Sequence, residues 1–97
     1  MVFKLKFNPA AAKDLYKVAK KNKELASVII DQILPEIVKN PLQGRMKRGD
    51  LKKIRSNDFT FKGISYRVLY EIEMDLVRIF AIGIHDVSYR KAKSRKK

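Results

Sequence analysis

Three basic side chains in two short alternating segments carry the clearest chemical possibility in this sequence: Lys53 and Arg55 in LKKIR, and Arg67 in SYRVLYEI. In an extended chain successive side chains point to opposite faces, so a two-residue spacing sets Lys53 beside Arg55. Neighbouring strands lie ~4.8 Å apart, and pairing of the two segments lets Arg67 join them, with three cations around one phosphate. Like-charge crowding lowers the pKa of a lysine, which allows Lys52 or Lys53 to act as a general base near neutral pH. An arginine stays charged and stabilises negative charge. The same pattern also fits a solvated basic edge strand whose lysines discourage pairing with other chains.

Other chemistries are poorly supplied. The chain has no cysteine and a single histidine, His85. That excludes a disulfide scaffold, a thiolate nucleophile, a cysteine-based zinc site and any cluster of imidazole ligands, so the chemistry expected is free of metal and of cofactor. The segment GRMKRG has the glycine spacing of a phosphate-binding loop, but Asp50 and Leu51 stand where such a loop needs Lys and then Ser or Thr. Glu71, Glu73 and Asp75 cluster at a turn, where charge reads as solvation.

The charge is strongly unbalanced. With 23 Lys and Arg against 10 Asp and Glu, the net charge is +13 over 97 residues. A surplus of that size points to a polyanion or an acidic protein as partner. Residues 45–55 contribute +5 and residues 90–97 contribute +6, while residues 56–89 are net −2. Arg45, Lys47, Arg48 and Lys52 in the first segment, and Arg90, Lys91 and Lys93 in the second, are therefore candidate phosphate contacts. The second segment, RKAKSRKK, reads equally as a solvated tail.

The elements that must position these residues follow from the periodicity. VFKLKF alternates as a half-buried strand, with Phe3, Leu5 and Phe7 on one face. Asn8 and Pro9 open a helix that runs to about Lys20 with Ala12, Leu15, Tyr16 and Ala19 on its apolar side. Ala26, Ile29, Ile30, Ile33 and Ile37 mark a second helix over residues 24–39, with a kink or break expected near Leu34 because Pro35 lies inside it. LKKIR reads as a strand, SNDFTFKG as a long connection or irregular hairpin, SYRVLYEI as a strand with Tyr66, Val68, Tyr70 and Ile72 on one face, and LVRIFAIGI as a central strand covered on both sides. The fold expected is α+β: two N-terminal helices packed on a small, largely antiparallel four-stranded sheet, in the order β-α-α-β-β-β, forming one domain over 1–97 with a basic tail from about residue 90. The longest apolar run, Ile79 to Ile84, is far too short to cross a bilayer, and the start MVFKLKFNPA lacks a signal-peptide core, so a cytoplasmic protein without membrane contact is expected.

This order of elements, with GDLKKIR, YRVLYEI and the ending IGIHDVSYRKA, resembles the RelE/ParE superfamily of toxins, and in particular the RelE-like ribosome-dependent mRNA interferases, over roughly residues 2–93. The resemblance implies a toxin neutralised by a cognate antitoxin, with the ribosome and mRNA as partners. It also implies a metal-independent endoribonuclease in which a ribose 2′-hydroxyl attacks the adjacent phosphate. Carried over by motif position, Lys53 is base or phosphate ligand, Arg55 and Arg67 stabilise the phosphorane, and Tyr89 stacks on a base or orients the hydroxyl. His85 departs from the pattern, standing where RelE-type toxins often carry an arginine proposed as general acid; a histidine can donate a proton at neutral pH. His85 and Tyr89 also read as a strand-end histidine capped by a neighbour and as a ring packed on the sheet edge. Two other classes stay open, a ParE-like inhibitor of DNA gyrase without nuclease activity and an inactive basic RNA-binding module.

Overall fold

A computed structural model describes residues 3–46 and 54–84 of the chain. Strand β1 (Lys4–Phe7) is followed by α1 (Pro9–Lys21), α2 (Lys23–Val28), a π-helical turn (Ile29–Ile33) and α3 (Leu34–Lys39). A short 3-10 turn (Pro41–Gln43), the two-residue strand β2 (Arg45–Met46), β3 (Ile54–Phe61), β4 (Ile64–Glu73) and β5 (Leu76–Ile84) complete the described residues.

The helices begin and end where the sequence supplies caps. The Asn8 side chain accepts from the Ala10 N–H at 2.9 Å, with Pro9 at the first helical position, where a missing N–H costs nothing. Asn22 serves both neighbours: its own N–H donates to Val18 O at 2.7 Å, closing α1, and its side chain accepts from Leu25 N at 3.0 Å, opening α2. The kink or break expected near Leu34 takes the form of a π-helical turn, Ile29–Ile33, that ends just before Leu34. The chain stays helical from Lys23 to Lys39, and the proline is absorbed by the π-helical turn ahead of it, in which Leu34 N–H reaches back to Ile29 O. Widening that turn relieves the clash between a proline ring and the carbonyl four residues before it. Among the described residues no helix is long and apolar enough to cross a membrane.

The described strands form one mixed sheet in the order β1-β5-β4-β3-β2. β1 runs parallel to β5, with Leu5 opposite Val77, and the other pairs are antiparallel. Four strands carry the sheet, as the alternation indicated, and β2 adds a short fifth. Of the two readings of SNDFTFKG, a long connection or an irregular hairpin, the structure shows a hairpin, and a regular one. β3 continues through Phe61, and a two-residue turn at Lys62 and Gly63, with φ of 49° and 81°, leads directly into β4. Positive φ at both positions matches the twist of a tight hairpin, and Gly63 adopts it without steric cost.

The sheet is apolar on both faces. Val68, Tyr70, Val77, Ile79 and Ile82 pack with Ala11, Leu25, Ile29, Ile33 and Ile37 against the helices. On the opposite face Ile54, Leu69, Phe80 and Ala81 form a second buried cluster. Two successive residues, Phe80 and Ala81, can share that face because the register shifts there: Leu69 pairs with Ala81, and Tyr70 pairs with Ile79, so β5 carries a bulge. The buried Asp14 of α1 accepts a hydrogen bond from Ile82 N at 3.2 Å, tying the helix to β5 beyond the bulge.

Candidate functional site

Residues paired across an antiparallel ladder point to the same face, so the register decides which basic side chains can meet. Asp58 is the partner of Arg67, and Arg55 is the partner of Tyr70. The two arginines therefore occupy opposite faces of the sheet, which corrects the expectation that Arg67 joins Arg55 around one phosphate. Along β4 the alternation holds, with Arg67 and Leu69 on one face and Val68 and Tyr70 on the other. The hairpin turn, placed at Lys62 and Gly63, brings Arg67 opposite an acid and not beside a cation.

Arg67 lies on the face away from the helices. Its Nε donates to Asp58 Oδ1 at 2.8 Å and its Nη2 to Asp58 Oδ2 at 3.0 Å, a fork-to-fork ion pair. The Ser56 hydroxyl also donates to Asp58 Oδ1. The Arg67 side chain is 7% exposed and that of Asp58 40%, so the carboxylate is the accessible end of the pair. A polar hollow of about 500 Å³, lined by Glu36, Gln43, Gly44, Ser56, Asn57 and Asp58, opens beside it.

Arg55 performs a different task on the helix-covered side. Its Nη1 donates to Leu42 O at 3.2 Å and to Gly44 O at 3.0 Å, holding the segment between α3 and β2 against the sheet. Tyr70, its cross-strand neighbour, donates from its hydroxyl to Pro41 O at 2.5 Å. Burial raises the Tyr70 pKa, opposed in part by a backbone hydrogen bond at Gly44 and by the nearby Arg55 charge. The two side chains together clamp residues 41–44 against the sheet.

Of the remaining candidates, Arg45 belongs to β2 and pairs through its backbone with Ser56. Lys53, His85 and Tyr89, and also Lys47, Arg48, Lys52, Arg90, Lys91 and Lys93, lie outside the described residues. Sequence reasoning missed Ser56, Asp58 and Asp14. The first two fall in the segment read as a long connection or irregular hairpin, although Phe59, Thr60 and Phe61 continue a pattern of strand-favouring residues and Lys62 with Gly63 form a turn signal.

Comparison with known proteins agrees with this architecture. A family model described as ParE-like toxin of type II bacterial toxin-antitoxin system matches residues 8–93. Among solved structures, the chain is similar to the toxin-antitoxin complex RelBE2 from Mycobacterium tuberculosis, at 22% identity and a TM-score of 0.70, covering 88% of this chain and 100% of that one. It is also similar to an arginine-to-alanine double mutant of the E. coli toxin RelE in the free state, at 20% identity and a TM-score of 0.72, over 100% of both chains. The same mutant in complex with a peptide of the antitoxin RelBc aligns at 20% identity and a TM-score of 0.66, covering 100% of this chain and 98% of that one. At these identities the likeness is one of fold. No curated protein matches the chain.

Proposed function

We propose that this chain, which belongs to the ParE-like toxins of type II bacterial toxin-antitoxin systems, acts as a RelE-like endoribonuclease that cleaves mRNA on the ribosome. The reaction is transfer within the RNA. The ribose 2′-hydroxyl loses its proton to a base, its oxygen forms a bond to the adjacent phosphorus, and the bond from phosphorus to the 5′-oxygen breaks as that oxygen takes up a proton. A 2′,3′-cyclic phosphate and a 5′-hydroxyl result, and no metal is required for the balance. Arg67 is proposed to oppose the charge of the phosphorane, His85 to act as acid and Tyr89 to orient the nucleotide, while Lys53, which alternation would set on the strand face of Arg55, is proposed as a phosphate ligand.

The observation that supports this reading is the placement of Arg67 on the sheet face away from the helices, in a fixed fork geometry suited to a phosphate. A cognate antitoxin with an acidic or amphipathic segment is the proposed protein partner, complementary to the +13 charge, and the cytoplasm the proposed site of action.

A second reading, a ParE-like inhibitor of DNA gyrase without nuclease activity, is favoured by one observation: Arg55 faces the helices and Arg67 is paired with Asp58, so among the described residues the expected cluster of cations does not assemble. Incubation of the purified chain with ribosomes carrying mRNA, in parallel with a gyrase supercoiling assay, separates the two. Cleaved mRNA supports the first, blocked supercoiling with intact mRNA replaces it by the second, and neither effect leaves a binding module.

A further inference from the structure

The fork of Arg67 that would grip a phosphate is already filled. Its Nε and Nη2 bond both oxygens of Asp58, a singly charged pair of acceptors such as the two non-bridging oxygens of a phosphodiester would otherwise supply. The guanidinium is almost wholly buried, whereas Asp58 is two-fifths exposed and borders the polar hollow. An incoming anion therefore meets the carboxylate before it meets the arginine. Ser56, two residues back on the same strand face, holds Asp58 through the oxygen that Nε also uses.

We propose that Asp58 is an internal stand-in for phosphate, a latch that keeps Arg67 occupied until an RNA phosphodiester displaces it toward the hollow. This rests on the reading that Arg67 faces RNA. The exchange is chemically balanced, one anion replacing another at the same two donors, with no net burial of unpaired charge. Asp58 is two-fifths exposed, so an incoming anion can reach the carboxylate and take over its two bonds to the fork, which keeps the latch releasable. Its effect is selective: an anion that bonds the fork with two oxygens competes with Asp58, and one that offers a single oxygen does not. The acid thereby lowers affinity for stray anions and retains a strained-free, oriented arginine for the bidentate ligand.

The test is binding of a short single-stranded RNA with 2′-O-methyl riboses, which cannot be cleaved, to the parent, Asp58→Asn, Arg67→Ala and the double variant. Asp58→Asn keeps the shape of the side chain and removes its charge. It should bind RNA about fivefold more tightly, because a neutral amide holds the charged fork less strongly than a carboxylate does, and the gain should vanish in the Arg67→Ala background. Equal or weaker binding by Asp58→Asn overturns the proposal, and so does a gain that persists without Arg67, since that gain would come from bulk charge. If Asp58→Asn does not fold, the Arg67 Nε–H resonance of the parent, titrated with inorganic phosphate, gives the answer: a saturable shift supports displacement of Asp58, and an unmoved resonance rejects it. Failure of the nuclease reading registers separately, as uncut mRNA on ribosomes with the parent.

Discussion

The Tyr70 hydroxyl, set in the middle of the sheet, donates at 2.5 Å to the carbonyl of Pro41, at the end of the helical layer. This one bond joins β4 to the turn that leads into β2. Tyr70→Phe leaves the ring in place and orphans a buried carbonyl, so a loss of about 1–2 kcal/mol in unfolding free energy is expected, measured by urea denaturation.

The same residue gives a pH dependence with a definite sign. Burial raises the Tyr70 pKa in the folded state above its ordinary value near ~10. The folded protein therefore holds the phenolic proton more tightly than the unfolded chain. Its stabilising contribution is complete below the ordinary tyrosine pKa and is lost as pH rises through the folded one. Stability of the parent should fall on the alkaline side, and Tyr70→Phe should flatten that limb in a series of thermal melts.

Gly44 is required by close approach, its φ of −63° being ordinary. A Cβ there would collide with the Tyr70 hydroxyl, lie 2.8 Å from Tyr70 Cζ and stand 3.2 Å from Ser56 O. Gly44→Ala should destabilise by about 1–3 kcal/mol, as overpacking does, and the effect should shrink in the Tyr70→Phe background, where the hydroxyl is gone. A double-mutant cycle of unfolding free energies checks both statements.

Asp14 is a buried carboxylate that binds a backbone donor of β5. Asp14→Ala strands the Ile82 N–H beside the bulge and should cost about 1–3 kcal/mol, while Asp14→Asn retains an acceptor and should cost less. Amide exchange at Ile82 provides a local readout: protection should fall sharply in the alanine variant alone.

Because they face opposite sides of the sheet, Arg55 and Arg67 should separate in function. Arg67→Ala is expected to reduce ribosomal mRNA cleavage by about 10²- to 10³-fold, the usual effect of removing a transition-state charge contact. Arg55→Ala is expected to leave cleavage within a few-fold of the parent and to lower stability by about 1 kcal/mol through its lost bonds to Leu42 O and Gly44 O. Single-turnover cleavage and urea denaturation of both variants test the division.

What was legible in the sequence is what local physics decides. Period-two alternation placed Tyr66, Val68, Tyr70 and Ile72 on one face of β4 and Arg67, Leu69 and Glu71 on the other, because the pleat assigns faces without reference to any partner. Asn8 with Pro9 announced a helix start for the same reason: a cap acts within one turn. Pro35 announced an irregularity near Leu34, but its form, a π turn that keeps the chain helical while Ile29, Ile33, Leu34 and Ile37 stay buried, belonged to the tertiary structure. The neighbours across the sheet belonged to the tertiary structure alone. Which residue of β3 faces Arg67 depends on where the chain reverses, and with the turn at Lys62 and Gly63 that residue is Asp58, whereas a one-residue slip would have set a different side chain there. The parallel pairing of β1 with β5 and the contact of Asp14 with Ile82 join segments far apart in the chain, and such contacts are selected by the shared core, in which each face of the sheet must be covered at once.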